Sequence, residues 1–137
     1  MALTHVVDTS VVTRLANPAV RAKVEPLALR GEIGRLGITD LEVGYSARDA
    51  SEWHDLVTAL DIFAPLETTG DHVKRALQVQ RLLASRHQRG RKIPDLLVAA
   101  GAEQASLVVL HYDADFDRIA AITGQPCEWI LPAGTVD

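Results

Sequence analysis

Cysteine is nearly absent. The one copy, Cys127, excludes an internal disulfide and a multi-cysteine zinc site, and fits a chain kept in a reducing cytoplasm. Long apolar runs are missing as well. None approaches the roughly 18 residues of a membrane span, so no membrane association is expected. The opening Met1-Ala2-Leu3-Thr4-His5 has neither the basic segment nor the apolar stretch of a secretory signal. Positive charge is not in surplus: 18 acids against 14 bases leave a net charge of −4, which argues mildly against non-specific binding of nucleic acid. Lysine is scarce, with only Lys23, Lys74 and Lys92. There is no internal repeat and no low-complexity linker.

What remains is ordinary globular material. The 137 residues are 47% apolar and 23% charged, enough for one domain over 1–137 with an unstapled core. The bases are mostly Arg, a residue suited to bidentate contacts with phosphate or carboxylate. Arg86, Arg89, Arg91 and Lys92 gather just before Asp95. They read either as a phosphate-tracking patch or as a solvated helix end complementing its negative pole.

The pattern of elements predicts an α/β fold. Leu3 to Val7 is a first strand, with Ser10 as N-cap of a helix over Val11 to Ala16. Asn17-Pro18 opens a second helix that Pro26 should kink or end. Ile33 to Ile38 sits where a second strand belongs. Thr39 and Glu42 form a capping box, and Trp53, Leu56, Val57 and Leu60 recur at helical spacing. Ile62 to Leu66 is a third strand, placed at an edge by Pro65. Asp71 to His87 is the longest helix, with Val73, Ala76, Leu77, Gln80, Leu83 and Ala84 along one side and Gly90 at its close. Ile93-Pro94-Asp95 leads into a buried helix, Leu107 to Leu110 is the fourth strand, and Asp113 or Asp115 caps a helix ending at Gly124. Cys127 to Leu131 closes the sheet. Strands separated by helices, often by two, indicate a mostly parallel sheet with helices on both faces.

Four acids then stand out. Asp8 lies at the carboxyl end of the first strand and Asp113 at that of the fourth. In a sheet wound outward from its first strand, those two strands become neighbours, flanking the crevice where open sheets bind ligands. Glu42 and Asp95 each fall in the first turn of a helix. Each has a plain explanation alone: Asp8 as a polar strand end, Glu42 as half of a capping box, Asp95 as an acid favoured by the helix dipole. Asp115 and Asp117 read as cap and solvated face. Together, converging carboxylates demand cations, and hard divalent ions with oxygen ligands are the natural remedy.

Asp8-Thr9-Ser10, Glu42 within Ile38 to Glu42, Ile93-Pro94-Asp95, and Tyr112-Asp113-Ala114-Asp115-Phe116 follow one another in an order that resembles the PIN-domain ribonucleases, and among them the VapC toxins of bacterial VapBC toxin–antitoxin modules. The likeness runs from Val6 to about Leu131. It implies a three-layer sandwich with a five-stranded sheet ordered 3-2-1-4-5, RNA cleavage dependent on Mg2+ or Mn2+, a homodimer, and a VapB antitoxin seated beside the active site. The family's acids fall on Asp8, Glu42, Asp95 and Asp113, with Asp8 and Asp95 as principal metal ligands and Glu42, Asp113 and Asp115 as secondary ones. The hydroxyl supporting the first acid falls on Ser10, with Thr9 as second choice. RNA contacts fall on Arg14, Arg86, Arg89, Arg91 and Lys92. His111 departs from the pattern, since toxins of this type often carry a small hydroxyl there; it reads as a polar strand end or a phosphate contact.

Two rivals remain. A dehalogenase-like phosphatase or a receiver domain also places an Asp after the first strand. The former wants an acid at position 10, where Ser10 stands, and the latter wants a lysine near the last strand. A PIN-like module that only binds a partner would keep the acids as caps. The helices between Val11 and Leu29 offer Val20, Val24 and Leu27 as an apolar stripe, either an antitoxin groove or core.

Overall fold

The computed structural model describes residues 2–88 and 92–136. Five strands, β1 (His5–Val7), β2 (Ile33–Leu36), β3 (Ala64–Leu66), β4 (Val108–His111) and β5 (Cys127–Trp129), form one sheet in the order β3-β2-β1-β4-β5. All four pairings are parallel, in the order expected from the resemblance. Side chains alternate faces along each strand. Val6, Leu36 and Val109 therefore enter one core with α5 (Gly70–Ser85), α6 (Ile93–Ala105) and α7 (Asp115–Thr123). Val7, Ile33 and Leu110 enter the other, with α1 (Thr9–Val12), α2 (Pro18–Leu29) and Val43 of α3 (Gly37–Tyr45). α4 (Ala50–Thr58) and a 3-10 turn over Ala59–Ile62 lead into β3 at the sheet edge, where Pro65 lies.

Several local expectations are corrected. The N-cap of α1 is Asp8 and not Ser10: its Oδ2 accepts from the Ser10 amide at 3.0 Å. Asn17 does cap α2, but the helix runs through Pro26 to Leu29. Val24 anchors it in the core while Pro26 and Ala22 face solvent, so water can serve the Ala22 carbonyl that the proline leaves free. Val20 and Val24 are themselves fully packed in that core, and Leu27 rests against it. The stripe is therefore part of the core. α3 starts at Gly37, three residues early, which puts Thr39 inside the helix and fully buried, so the capping box does not form. The inner line of α5 is His72, Ala76, Val79 and Leu83. Val73 and Leu77 lie just off it, the latter 59% exposed.

α6 lies close against the β2–α3 junction because Gly101 has no side chain. A Cβ there would stand 2.6 Å from Leu36 Cδ1. Gly101→Ala is expected to cost about 1–3 kcal/mol by overpacking. An unchanged thermal midpoint would mean Leu36 simply gives way.

Candidate active site

The cleft is built at the carboxyl end of the sheet, where β1 and β4 run side by side. Val7 pairs with Leu110, and the Asp8 amide extends the ladder by donating to the Leu110 carbonyl at 3.0 Å. Asp8 is thus delivered beside His111, with Asp113 two residues on. α6 brings Asp95 in its first turn, and α3 brings Glu42. The cleft, about 240 Å³, is lined by Asp8, Thr9, Ser10, Thr13, Arg14, Glu42, Lys92, Asp95, Tyr112 and Asp113. All four acids singled out from the sequence meet in it.

Both hydroxyls after Asp8 have work. Ser10 Oγ donates to Asp8 Oδ2 at 2.6 Å and accepts from the Tyr112 amide at 2.9 Å, tying the β1 acid to the end of β4. Thr9 Oγ1 donates to Glu42 Oε1 at 2.6 Å. Glu42, freed from any capping box, is held by α1 and faces the cleft. A bond to a charged acceptor contributes about 1.5–3 kcal/mol, so Thr9→Val should slow the reaction proposed below roughly tenfold with little change in fold. A rate equal to wild type would leave Glu42 without a role there.

The electrostatics are those of crowded acids. Asp8 is 2% and Asp95 3% exposed. Burial pushes the Asp95 carboxyl up to about 8, with Asp8 and Asp113 adding to the rise. Asp8 is raised too, chiefly by burial, against the opposing Ser10 bonds. Burial works on Asp113 in the same sense, but the Asp115 amide and Lys92 outweigh it and bring its carboxyl below the usual range. Asp8 Oδ1 and Asp95 Oδ2 are buried with no hydrogen-bond partner among the described residues. Asp95, Asp113 and Asp115 each present an oxygen within 4.8 Å of the others. Two orphaned carboxylate oxygens and an all-oxygen donor set fit a hard divalent cation. Asp115, which the sequence marks as a cap, belongs to this cluster; it is Asp113 Oδ1 that accepts from the Asp115 amide and turns the chain into α7.

The bases divide. Arg14 forms part of the wall, its Nη1 donating to the Ser10 carbonyl at 2.7 Å and its guanidinium 4.8 Å from the centre of the Tyr112 ring. Lys92 Nζ sits 3.1 Å from Asp113 Oδ2. Arg86 ends α5 and does not line the cleft, and Arg89 and Arg91 lie outside the described residues. Thr13 and Tyr112 were not anticipated as wall residues. Tyr112 enters because its amide and ring are fixed by Ser10 and Arg14, contacts that carry no sequence signal.

A parallel 3-2-1-4-5 sheet whose first and fourth strands end in acids sharing one cleft defines a class. The chain belongs to the PIN-domain family, whose defining pattern matches residues 5–122. Its relatives narrow the family to the VapC ribonucleases. Ribonuclease VapC51 of Mycobacterium tuberculosis (strain H37Rv) is 64% identical over 137 residues, covering 100% of each chain. Ribonuclease VapC21 of the same organism is 44% identical over 137 residues, covering 98% of this chain and 99% of that one. Among solved structures, VapBC2 from Rickettsia felis bound to a promoter DNA fragment superposes with a TM-score of 0.77, covering 94% of this chain and 98% of that one. At 15% identity that likeness concerns the fold alone.

Proposed function

We propose that this chain, acting as one domain over 1–137, is a divalent-metal-dependent endoribonuclease, the toxin of a VapBC-type module, hydrolysing RNA phosphodiester bonds and neutralised by a VapB-type antitoxin. The observation that carries this is the pair of buried carboxylates, Asp8 and Asp95, whose orphaned oxygens stand in a cleft shared with Glu42 and Asp113. Asp8 and Asp95 hold the principal ion, Mg2+ with Mn2+ able to substitute, while Glu42, Asp113 and Asp115 complete the cluster. When bound, the ion polarises the phosphoryl group, makes hydroxide available near neutral pH, and reverses the charge that would repel an RNA backbone.

The chain's own residues do the rest. Ser10 fixes Asp8, and Thr9 fixes Glu42, which orients the attacking water. Arg14, braced by Tyr112 and the Ser10 carbonyl, and Lys92, beside Asp113 in the same cleft, take the phosphates flanking the cut; Arg86 extends that contact along the strand. The exposed Val73, Leu77 and Ile93, on the neighbouring faces of α5 and α6, suit a homodimer. No helix among the described residues is long and apolar enough to cross a membrane, and the proposed site of action is the cytoplasm.

The test is cleavage of total RNA by purified protein in Mg2+ and in chelator, with the fragment ends sequenced after a pulse of expression. Cuts should appear only with the metal and vanish in Asp8→Asn. An Asp8→Asn protein that cuts at the normal rate refutes the assignment.

A further inference from the structure

His111 departs from the pattern that the rest of the cleft follows, and its surroundings are specific. It is the last residue of β4 and is 0% exposed. Its ring lies between Phe116 of α7, with centroids 4.9 Å apart, and Trp129 of β5, at 5.0 Å. The Asp113 amide points at its Nδ1 from 3.1 Å. A backbone N–H can only donate, so Nδ1 must carry a lone pair, and the ring proton must sit on Nε2. Nε2 is buried with no partner among the described residues.

We propose that His111 is a positioning residue whose Nδ1 anchors the Asp113 amide and thereby sets the Asp113–Asp115 turn at the mouth of the acidic cleft. The chain leaving β4 turns sharply there. With its amide held, Asp113 presents Oδ1 to the Asp115 amide at 2.9 Å and Oδ2 to the cleft, where Lys92 meets it. The same turn brings an Asp115 oxygen within 4.8 Å of Asp95 and Asp113. The ring is itself locked by Phe116 of α7 and Trp129 of β5, so it ties the turn at Asp113 to the packing of those two elements. A small hydroxyl at this position can accept the same i+2 amide in a local turn. His111 does so through a rigid ring, converting a flexible turn into one fixed by core packing.

This rests on the proposed metal-binding reading of the cleft. Two variants separate acceptor from bulk: His111→Phe keeps an aromatic ring and loses Nδ1, whereas His111→Asn loses the ring and keeps an acceptor. Mn2+ affinity, read from the electron paramagnetic signal of the free ion, should fall about tenfold in His111→Phe and stay within about threefold of wild type in His111→Asn, as for partners that orient metal ligands. Thermal unfolding in chelator should rank them the other way, the phenylalanine variant being more stable. Wild-type Mn2+ affinity in His111→Phe overturns the proposal, as does His111→Asn binding as weakly as His111→Phe. If wild-type protein takes up no Mn2+, the functional reading fails, and nitrogen NMR of its His111 ring still decides the anchor. An unprotonated Nδ1 upholds it and a protonated Nδ1 overturns it.

Discussion

Asp95→Asn should abolish RNA cleavage and at the same time make the metal-free protein more stable. Most substitutions of a buried residue destabilise, so the sign distinguishes a ligand from a structural acid. Asp95 sits in the first turn of α6, where the helix dipole favours its charge by about 0.3–1 kcal/mol. Burial and the neighbouring acids oppose that charge more strongly, since the carboxyl rises from 3.8 to about 8 and each unit is worth about 1.4 kcal/mol. Asparagine keeps the shape, removes the charge and gives up a ligand. At pH 8 in chelator, the melting temperature should rise by several degrees, at about 4 °C per kcal/mol for a chain of this size. Cleavage in Mg2+ should fall at least about a thousandfold, the equivalent of several kcal/mol of lost transition-state stabilisation. A variant that cuts normally, or one that melts earlier in chelator, would show that Asp95 serves the fold.

The second large effect is a pH dependence that the metal removes. An acid whose folded pKa lies above its unfolded value keeps a proton that the unfolded chain has released, so stability falls as pH rises between the two values. For Asp95 the window runs from 3.8 to about 8, and the raised carboxyl of Asp8 acts in the same sense. His111 opposes them between about 4 and 6.5. It stays neutral in the fold while the unfolded ring is protonated, so its contribution is lost as pH falls. Asp113, lowered below 3.8, matters only under more acidic conditions.

From pH 6.5 to 8, therefore, the acids act without that counterweight. Metal-free protein should lose on the order of 2 kcal/mol across that interval. Mg2+ needs the deprotonated acids, so its affinity grows over the same interval. At a hundred times its dissociation constant it adds about 2.7 kcal/mol. Melting curves at pH 6.5 and 8, with Mg2+ and with chelator, should show the slope in chelator and its loss in Mg2+. A chelator curve that climbs with pH would remove the crowded-acid account, and an absent Mg2+ effect at pH 8 would remove the metal.

The kinds of element and the four acids were legible because they depend on short-range chemistry, while the sheet order came with the resemblance to the PIN-domain ribonucleases. β-branched runs ending in Asp8 and Asp113, and Pro94 ahead of Asp95, mark strand and helix ends whatever lies beyond them. Errors arose where burial overrode a local rule. Thr39 and Glu42 have the spacing of a capping box, yet α3 starts earlier, at Gly37, and Glu42 is held by Thr9 instead, 33 residues away in sequence. Pro26 should end a helix, yet α2 continues to Leu29, with Leu27 and Ala28 beyond the proline packed against the core. Val20 and Val24 form an apolar stripe whichever way they face, and only packing assigns them to the core.

By itself, then, the sequence determined the kinds of element, their order and the identities of the acids, because strand pattern, turn chemistry and residue type are local. Tertiary structure alone decided that Thr9 supports Glu42, that Tyr112 and Arg14 form a wall, and that His111 turns its ring to the Asp113 amide. Those outcomes depend on side chains from separate elements excluding water together, and no stretch of the chain encodes that on its own.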